Sequence, residues 1–443
     1  MRDVLQRHLQ PLDGKTYEVR ECQIPYSHHR KALRCVVHYD LRLAEAGTGR
    51  EWSQLVTGVM YTGDKTRRIW EELWRSEPGQ GTAGSSPIFE PFSYIPDLDM
   101  LVQVFPYDHR LPALPLLMAG PPPDLEPLLL ARFGPGEWRA EAWDVEPVRY
   151  RATQRAALRL AARARETATG RVEERRFYAK VYLGGEKGAN LGGEQTYQVL
   201  RELWDKASAG GAGFTVGRPI AYLSGLQTLL QEEAPGTSLR AILLREEEEE
   251  AIPAVRKVAR ALAALHLNDV VVPQRRRLRD EVARLERASK LLRSACPHLE
   301  PRIEEIVGTV VAGLEEVPLA PTHGDLKPPH ILLDGDSVAL IDLDKFAMAD
   351  PVLDVVDLLV SLDRVSRRSS LPHDHYPQAV VQAFVEEYFA HVPEAWRVRL
   401  PLHYAGNVLK KATLALRHQS PGWSGKVEAF LDEARGSLAG KVW

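Results

Sequence analysis

The chain repeats itself, and this constrains its architecture before any motif is considered. R-K-A-L-R (Arg30 to Arg34) returns as R-A-A-L-R (Arg155 to Arg159), and V-M-Y-T-G-D-K (Val59 to Lys65) as V-Y-L-G-G-E-K (Val181 to Lys187). T-R-R-I-W-E-E-L-W (Thr66 to Trp74) returns as T-Y-Q-V-L-R-E-L-W (Thr196 to Trp204). P-F-S-Y-I-P-D-L-D-M-L-V-Q (Pro91 to Gln103) returns without a gap as P-I-A-Y-L-S-G-L-Q-T-L-L-Q (Pro219 to Gln231). The offsets are 125, 122, 130 and 128 residues, so order is kept and only loop lengths drift. β-branched runs ending in glycine turns, a stretch of helical period and a hairpin pattern read as strand, strand, helix, strand, strand in each copy. A duplicated unit is expected over residues 15–118 and again over 135–240.

Beyond the second copy the pattern turns helical. Ile252 to Leu267, Leu278 to Leu292 and much of Tyr376 to Leu438 carry apolar residues at i, i+3, i+4 spacing. With 443 residues the chain exceeds what one hydrophobic core serves, about 250–300 residues. Lys and Arg total 57 against 60 Asp and Glu, a balance that offers no global field for nucleic acid or an anionic membrane. Leu111 to Pro123 is uncharged but carries five prolines, and the N-terminus M-R-D-V-L-Q-R-H lacks the apolar run of a secretory signal. Cys22, Cys35 and Cys296 are too few for a disulfide framework, so buried or half-buried thiols in a cytoplasmic protein are expected.

The chemistry concentrates in residues 319–354. A loop carries His323, Asp325, Lys327 and His330; the strand Ile331 to Leu333 turns back at Asp334-Gly335-Asp336; and Val338 to Ile341 delivers Asp342 and Asp344. Two acidic groups converging on one end of a hairpin, with a lysine beside the first, suit phosphoryl transfer. There the protein's task is to orient a hydroxyl, hold a divalent metal and neutralise phosphoryl oxygens.

H-G-D-L-K-P-P-H (His323 to His330) resembles the catalytic loop H-G-D-x-x-x-x-N of the aminoglycoside phosphotransferase and choline kinase-like family. I-D-L-D (Ile341 to Asp344) resembles its metal-binding strand, and A-D-P-V-L-D (Ala349 to Asp354) its G-D-P-x-x-D, whose last Asp braces the catalytic loop. F-Y-A-K-V-Y sets Lys180 mid-strand, L-L-Q-E-E-A-P-G (Leu229 to Gly236) looks like the family's hinge, and A-R-A-L-A-A-L-H (Ala259 to His266) like the helix before the loop. The likeness covers residues 145–420. It implies an α+β, protein-kinase-like bilobal fold with a small antiparallel N-lobe and a mainly helical C-lobe. An extra N-lobe-like module precedes it, giving boundaries 1–122, 123–237 and 238–443.

The same resemblance implies an ATP-dependent kinase acting on a hydroxyl of a sugar, amino sugar or aminoglycoside-like molecule. Asp325 would orient the acceptor, Lys327 would neutralise the transferred group, and Asp342 with His330 would hold Mg²⁺. Lys180, paired with Glu194, would place the phosphates, and the Glu232 carbonyl and Ala234 N–H would receive adenine. His330 stands where the family most often has Asn, and imidazole suits Mn²⁺ or Zn²⁺ better than Mg²⁺, so either His330 acts through a water, or the metal preference shifts, or one metal site is lost. A pseudokinase, binding nucleotide without turnover, is the rival reading. No G-x-G-x-x-G precedes Lys180; the turn Tyr150 to Arg155 takes that place, its arginines either meeting phosphates or facing solvent.

In the first copy, register sets Gly58 against Lys180, and no catalytic loop follows, so a cap, a brace or a homodimer surface is expected of it. Arg275 to Arg277 reads as a surface turn, Glu246 to Glu250 as a solvated helix start, and His373-Asp374-His375 as a polar loop. Trp74 and Trp204 read as core, and Asp357, Asp363, Glu386 and Glu387 as candidates for an acidic acceptor surface.

Overall fold

The computed structural model describes every residue except 31–33, 76–87, 185–190, 211–212, 246–247, 367–375, 419–421 and 441–443. The chain divides into two compact units. One holds Met1–Glu186, Gly192–Glu194 and Ile220–Glu232, and the other Lys187–Leu191, Gln195–Pro219 and Glu233–Trp443. Residues 1–122 therefore share a unit with most of 123–237.

The first unit is built on two antiparallel sheets. Helix α1 (Arg2–His8) precedes β1 (Tyr17–Arg30), β2 (Arg34–Glu45), β3 (Glu51–Tyr61), α2 (Lys65–Arg75), β4 (Phe92–Ile95) and β5 (Met100–Val104). After the short helices α3 (Leu114–Met118) and α4 (Glu126–Leu130) come β6 (Trp138–Arg151), β7 (Arg155–Glu166) and β8 (Val172–Val181). Next in sequence come α5 (Gly193–Ser208) and β9 (Thr215–Val216), which from Gln195 on belong to the second unit, and the chain returns to the first with β10 (Pro219–Leu223) and β11 (Thr228–Glu232). The sheets run β1-β2-β3-β5-β4 and β6-β7-β8-β11-β10, the same order with a helix after the third strand.

The alternation in β7 shows why the second sheet forms. Ala156, Leu158, Leu160, Ala162 and Ala164 face inward onto Phe177, Ala179 and Leu230. Between them Arg159 and Arg163 face outward and pair with Glu146 and Glu141. Leu111, Leu114, Leu117, Leu125 and Leu129 join the same core, each contributing about 1.5–3 kcal/mol by leaving water.

The turns of the fourth and fifth strands match in detail. A 3₁₀ turn at Pro96–Leu98 ends on left-handed Asp99 (φ 45°), and one at Ser224–Leu226 ends on left-handed Gln227 (φ 48°). The Tyr94 hydroxyl donates to Asp99 Oδ1 at 2.7 Å and the Tyr222 hydroxyl lies 3.0 Å from Gln227 Oε1. Strand pairing corrects the register in one respect. Leu101 and Leu229, 128 residues apart like the turn residues, pair with Val59 and Lys180 respectively. Val59, not Gly58, therefore stands where Lys180 stands, and one residue is enough to exchange faces. Likewise Arg34 and Arg155 open equivalent strands, a shift of four from the first sequence match.

The second unit is mainly helical: α6 (Leu239–Leu243), α7 (Glu248–His266), α8 (Leu278–Ala295), α9 (Glu300–Gly313), α10 (Val352–Ser366), α11 (Tyr376–Ala390), α12 (Leu400–His418) and α13 (Trp423–Leu438). Helix α12 is buried along Ala405, Val408, Leu409 and Ala412. Among these helices lies a sheet of β12 (Thr237–Ser238), β14 (Ile331–Asp334), β15 (Ser337–Leu340) and β9. A two-stranded ladder joins β13 (Ala320–Thr322) to β16 (Ala347–Ala349). Among the described residues no helix is long and apolar enough to cross a membrane.

Several expectations are corrected. Arg276 is not a surface arginine: it is half-buried against the buried Glu281, which also receives Arg284 and Lys410. At the start of α8 the Arg277 N–H donates to Asp280 Oδ2 at 2.9 Å. Trp74 is 66% exposed and packs at a tilt against Trp70 rather than entering the core, whereas Trp204 is half-buried under Arg218. The acidic surface does not form as expected: Asp357 accepts from Asn407 at 2.6 Å, Glu387 pairs with Arg260 and His391, and Glu386 accepts from Gln382. The Asp363 side chain, residues 373–375 and the start of the Glu246 run lie outside the described residues.

Candidate active site

The catalytic-loop sequence folds as a bridge between two ladders. Its first residues leave β13, its last form a 3₁₀ turn (Pro328–His330) entering β14, and the segment after β15 returns to β16. Asp354, in the first turn of α10, fastens this bridge. Its Oδ2 accepts the His323 N–H at 2.5 Å and its Oδ1 the Gly324 N–H at 2.8 Å, while His266 Nε2 lies 3.2 Å from Oδ2. A carboxylate accepts only, so Nε2 carries the His266 proton and Nδ1 takes the Tyr388 hydroxyl at 2.7 Å. The Asp354 side chain is fully buried. Burial pushes its pKa up, but His266 and the loop N–H groups outweigh that and hold it below the ordinary carboxylate value.

Gly324 is required by its surroundings. Its φ is +75°, and a Cβ there would sit 2.2 Å from the Lys345 carbonyl oxygen. His323 fixes the next residue: its Nε2–H donates to the Ile341 carbonyl at 2.9 Å, leaving Nδ1 to accept the Asp325 N–H at 3.3 Å. The loop and the segment after β15 are thereby locked through one imidazole.

Asp325 sits between two ammonium groups. Lys327 Nζ donates to Oδ2 at 3.0 Å and Lys345 Nζ to Oδ1 at 2.8 Å. Burial raises the carboxyl pKa, yet Lys345 and then Lys327 prevail and hold it down to about 2. The group is ionised at neutral pH, an orienting acceptor more than a strong base. Lys345 was not legible as a partner. It follows Asp344 like any surface lysine, and only the left-handed turn at Asp342 (φ 64°) brings it back across the loop.

His330 and Asp342 complete the group. His330 Nδ1 lies 3.2 Å from the Asp325 carbonyl, which can only accept, so Nδ1 bears the proton and Nε2 presents a lone pair. That lone pair faces Asp342 Oδ2 at 3.4 Å. Burial first, then His323, hold the His330 pKa down to about 3, so the ring is neutral. Two acceptors facing each other at this distance call for a cation. One ligand atom each from Asp325, His330 and Asp342 lies within 4.8 Å of the others, an O/N/O set that fits a divalent metal.

The family model described as phosphotransferase enzyme family matches residues 165–401, more than half of the chain. The chain belongs to the phosphotransferase enzyme family. This makes it a small-molecule kinase, and the loop around Asp325 lies within the matched region. No curated protein matches the phosphotransferase by sequence. Among solved structures, a choline/ethanolamine kinase family protein from Mesorhizobium loti is 15% identical, covering 70% of this chain and 90% of its own at a TM-score of 0.43. A glucosamine kinase in complex with glucosamine, ADP and inorganic phosphate is 17% identical, covering 64% and 84%, at 0.43. An aminoglycoside-3'-phosphotransferase of type VIII is 22% identical, covering 62% and 95%, at 0.37.

In the phosphotransferase's first unit, Lys180 lies in β8 between Ala157 of β7 and Leu229 of β11. Glu194 is exposed in the first turn of α5, and the ion pair expected between it and Lys180 is not among those of the described residues. Glu232 ends β11 with its side chain 3.0 Å from Arg132 Nε, which leaves its backbone carbonyl as the group of interest. Ala234 is buried and belongs to the second unit.

Proposed function

We propose that this phosphotransferase moves the γ-phosphoryl group of ATP to a hydroxyl of a small molecule: a sugar, an amino sugar or an aminoglycoside-like acceptor. The observation that carries the reading is Asp325, ionised, its backbone N–H held by His323, which Asp354 braces in turn, and its carboxylate held by two lysines. Such a carboxylate orients an acceptor O–H without removing its proton early, as a loose phosphoryl-transfer transition state requires. The acceptor oxygen forms its bond to the γ-phosphorus, the bond from that phosphorus to the bridging oxygen of ADP breaks, and the acceptor proton leaves by way of Asp325.

Lys327 and Lys345 are the cations available to the transferring oxygens once the substrate hydroxyl takes a share of Asp325. Lys180 would pair the α- and β-phosphates, and the Glu232 carbonyl with the Ala234 N–H would receive adenine. A divalent cation held by His330 and Asp342 would neutralise phosphate charge, and an imidazole in the set favours Mn²⁺ alongside Mg²⁺.

A pseudokinase is the weaker reading, because His330 replaces one oxygen ligand while Asp325, Lys327, Lys180 and Asp342 all remain. The test is ADP release with Mg²⁺ and with Mn²⁺ across a panel of sugars, amino sugars and aminoglycosides, with product mass read in parallel. An acceptor gaining one phosphoryl group supports the reading. Nucleotide binding with no phosphorylated product across the panel favours the rival.

A further inference from the structure

Within the first unit, the turn joining β6 to β7 is enclosed rather than open. Ala152 is buried in a cluster with Val36, Val59 and Leu101, which come from the N-terminal sheet. Tyr150 packs against Phe105, with ring centres 5.1 Å apart, and against His38 at 5.5 Å. Thr153, fully buried and β-branched, holds φ +59°, a conformation that costs about 1–2 kcal/mol in an L-residue.

One carboxylate meets this turn. Asp108, in the segment leaving β5, accepts the Thr153 N–H at 2.6 Å and the Tyr150 hydroxyl at 2.9 Å on Oδ2, and the Arg110 N–H at 2.9 Å on Oδ1. Its side chain is fully buried. Its hydrogen-bond donors are N–H and O–H groups, and burial raises its pKa despite them and despite the Arg110 charge nearby. Neighbouring His109 is committed elsewhere, to Gln103 Oε1 at 2.5 Å and the Tyr61 hydroxyl at 3.4 Å. A strained backbone and a buried carboxyl group thus coincide at one point, and both are costs that a purely apolar contact would avoid.

That point adjoins Lys180. The turn closes at Arg151 and Arg155, and two residues further along β7 Ala157 pairs with Lys180. The backbone N–H that an open turn would offer to phosphate is taken by Asp108. We propose that Asp108 is a positioning residue for the nucleotide: by fixing the turn beside Lys180 through Thr153 and Tyr150, it makes ATP affinity depend on the N-terminal sheet. This rests on the reading of Lys180 as the phosphate-pairing lysine, and it assigns the N-terminal module the work of a brace.

The test uses the full chain with Asp108→Asn and Tyr150→Phe. Amide hydrogen exchange over residues 150–157 without nucleotide reads the hold on the turn. Calorimetric ATP titration and steady-state kinetics read its consequence. Expected for Asp108→Asn are faster exchange over 150–157 and an ATP dissociation constant raised about tenfold, the scale of one lost hydrogen bond. The turnover number at saturating ATP should stay within about twofold, and Tyr150→Phe should move affinity in the same direction by less. A merely structural role would lower thermal stability and leave the ATP affinity of the folded protein unchanged, which would overturn the proposal, as would unchanged exchange. Should Asp108→Asn not fold, Tyr150→Phe decides alone, since it removes only a hydroxyl: wild-type ATP affinity in that variant overturns the proposal. If the wild-type protein itself binds no ATP, the nucleotide reading has failed and the proposal falls with it, a result told apart by the wild-type titration.

Discussion

Replacing Asp354 with Asn changes almost no volume yet should dismantle the catalytic loop. The carboxylate gives each oxygen to one backbone N–H, His323 at 2.5 Å and Gly324 at 2.8 Å, with His266 as a third donor. An amide has one acceptor oxygen, so one of the two N–H groups would confront an NH₂ in a site without water access. Hydrogen bonds to a charged group contribute about 1.5–3 kcal/mol, and an orphaned buried donor costs about 1–3 kcal/mol. The loop should therefore lose about 3–4 kcal/mol, enough to raise the population of its open state several hundredfold. Hydrogen exchange over residues 320–330 reads that loss directly, and it should appear with at least a hundredfold fall in turnover number, since Asp325 lies two residues from His323. Wild-type protection over 320–330 in a folded Asp354→Asn protein, or near-normal turnover, would refute the brace.

Lys345→Met removes one of the two cations on Asp325 from a half-exposed position; turnover should fall about 10–100-fold with thermal stability little changed, measured by initial rates and melting. His330→Asn exchanges the nitrogen ligand for an oxygen, so the ratio of rate with Mn²⁺ to rate with Mg²⁺ should drop, read by metal titration of initial rates. Glu281 supplies a pH signature. Burial alone would raise its pKa, but Lys410, Arg276 and Arg284 hold it at about 2 against an ordinary 4.5. Being depressed in the folded state, it contributes about 3 kcal/mol that is present above pH 4.5 and lost as pH falls toward 2. Glu281→Gln should flatten that part of the acid-unfolding profile and, at neutral pH, strand three cations at a cost of about 3–5 kcal/mol.

Much of the site was legible because phosphoryl transfer demands particular residue types at short spacing. His323, Asp325, Lys327, His330, Asp342 and Asp354 come together because a loop, a hairpin and the first turn of a helix follow one another closely in sequence. Lys345 was not legible, since its approach depends on a left-handed residue, Asp342, that no glycine or asparagine announces. The repeated strand order was readable from four matched segments, but its register was not: period-2 strands tolerate a one-residue slip on paper that pairing does not allow. Gly58 fitted the alignment; Val59 pairs with Leu101 as Lys180 pairs with Leu229. Trp74 misled through the amphipathic look of its helix, because period alone does not say that a stripe is covered. Asp108 gave no signal at all, its role resting on contacts 42 and 45 residues away in sequence.

The most direct test of phosphoryl transfer at this loop is the rate at which γ-labelled ATP delivers label to an accepted hydroxyl, compared between the wild-type protein and Asp325→Ala. Transfer by the wild-type protein should fall by at least about a thousandfold in the variant, while its ATP affinity stays near normal. Label transfer at a near-normal rate by folded Asp325→Ala would contradict the assignment of the chemistry to this carboxylate.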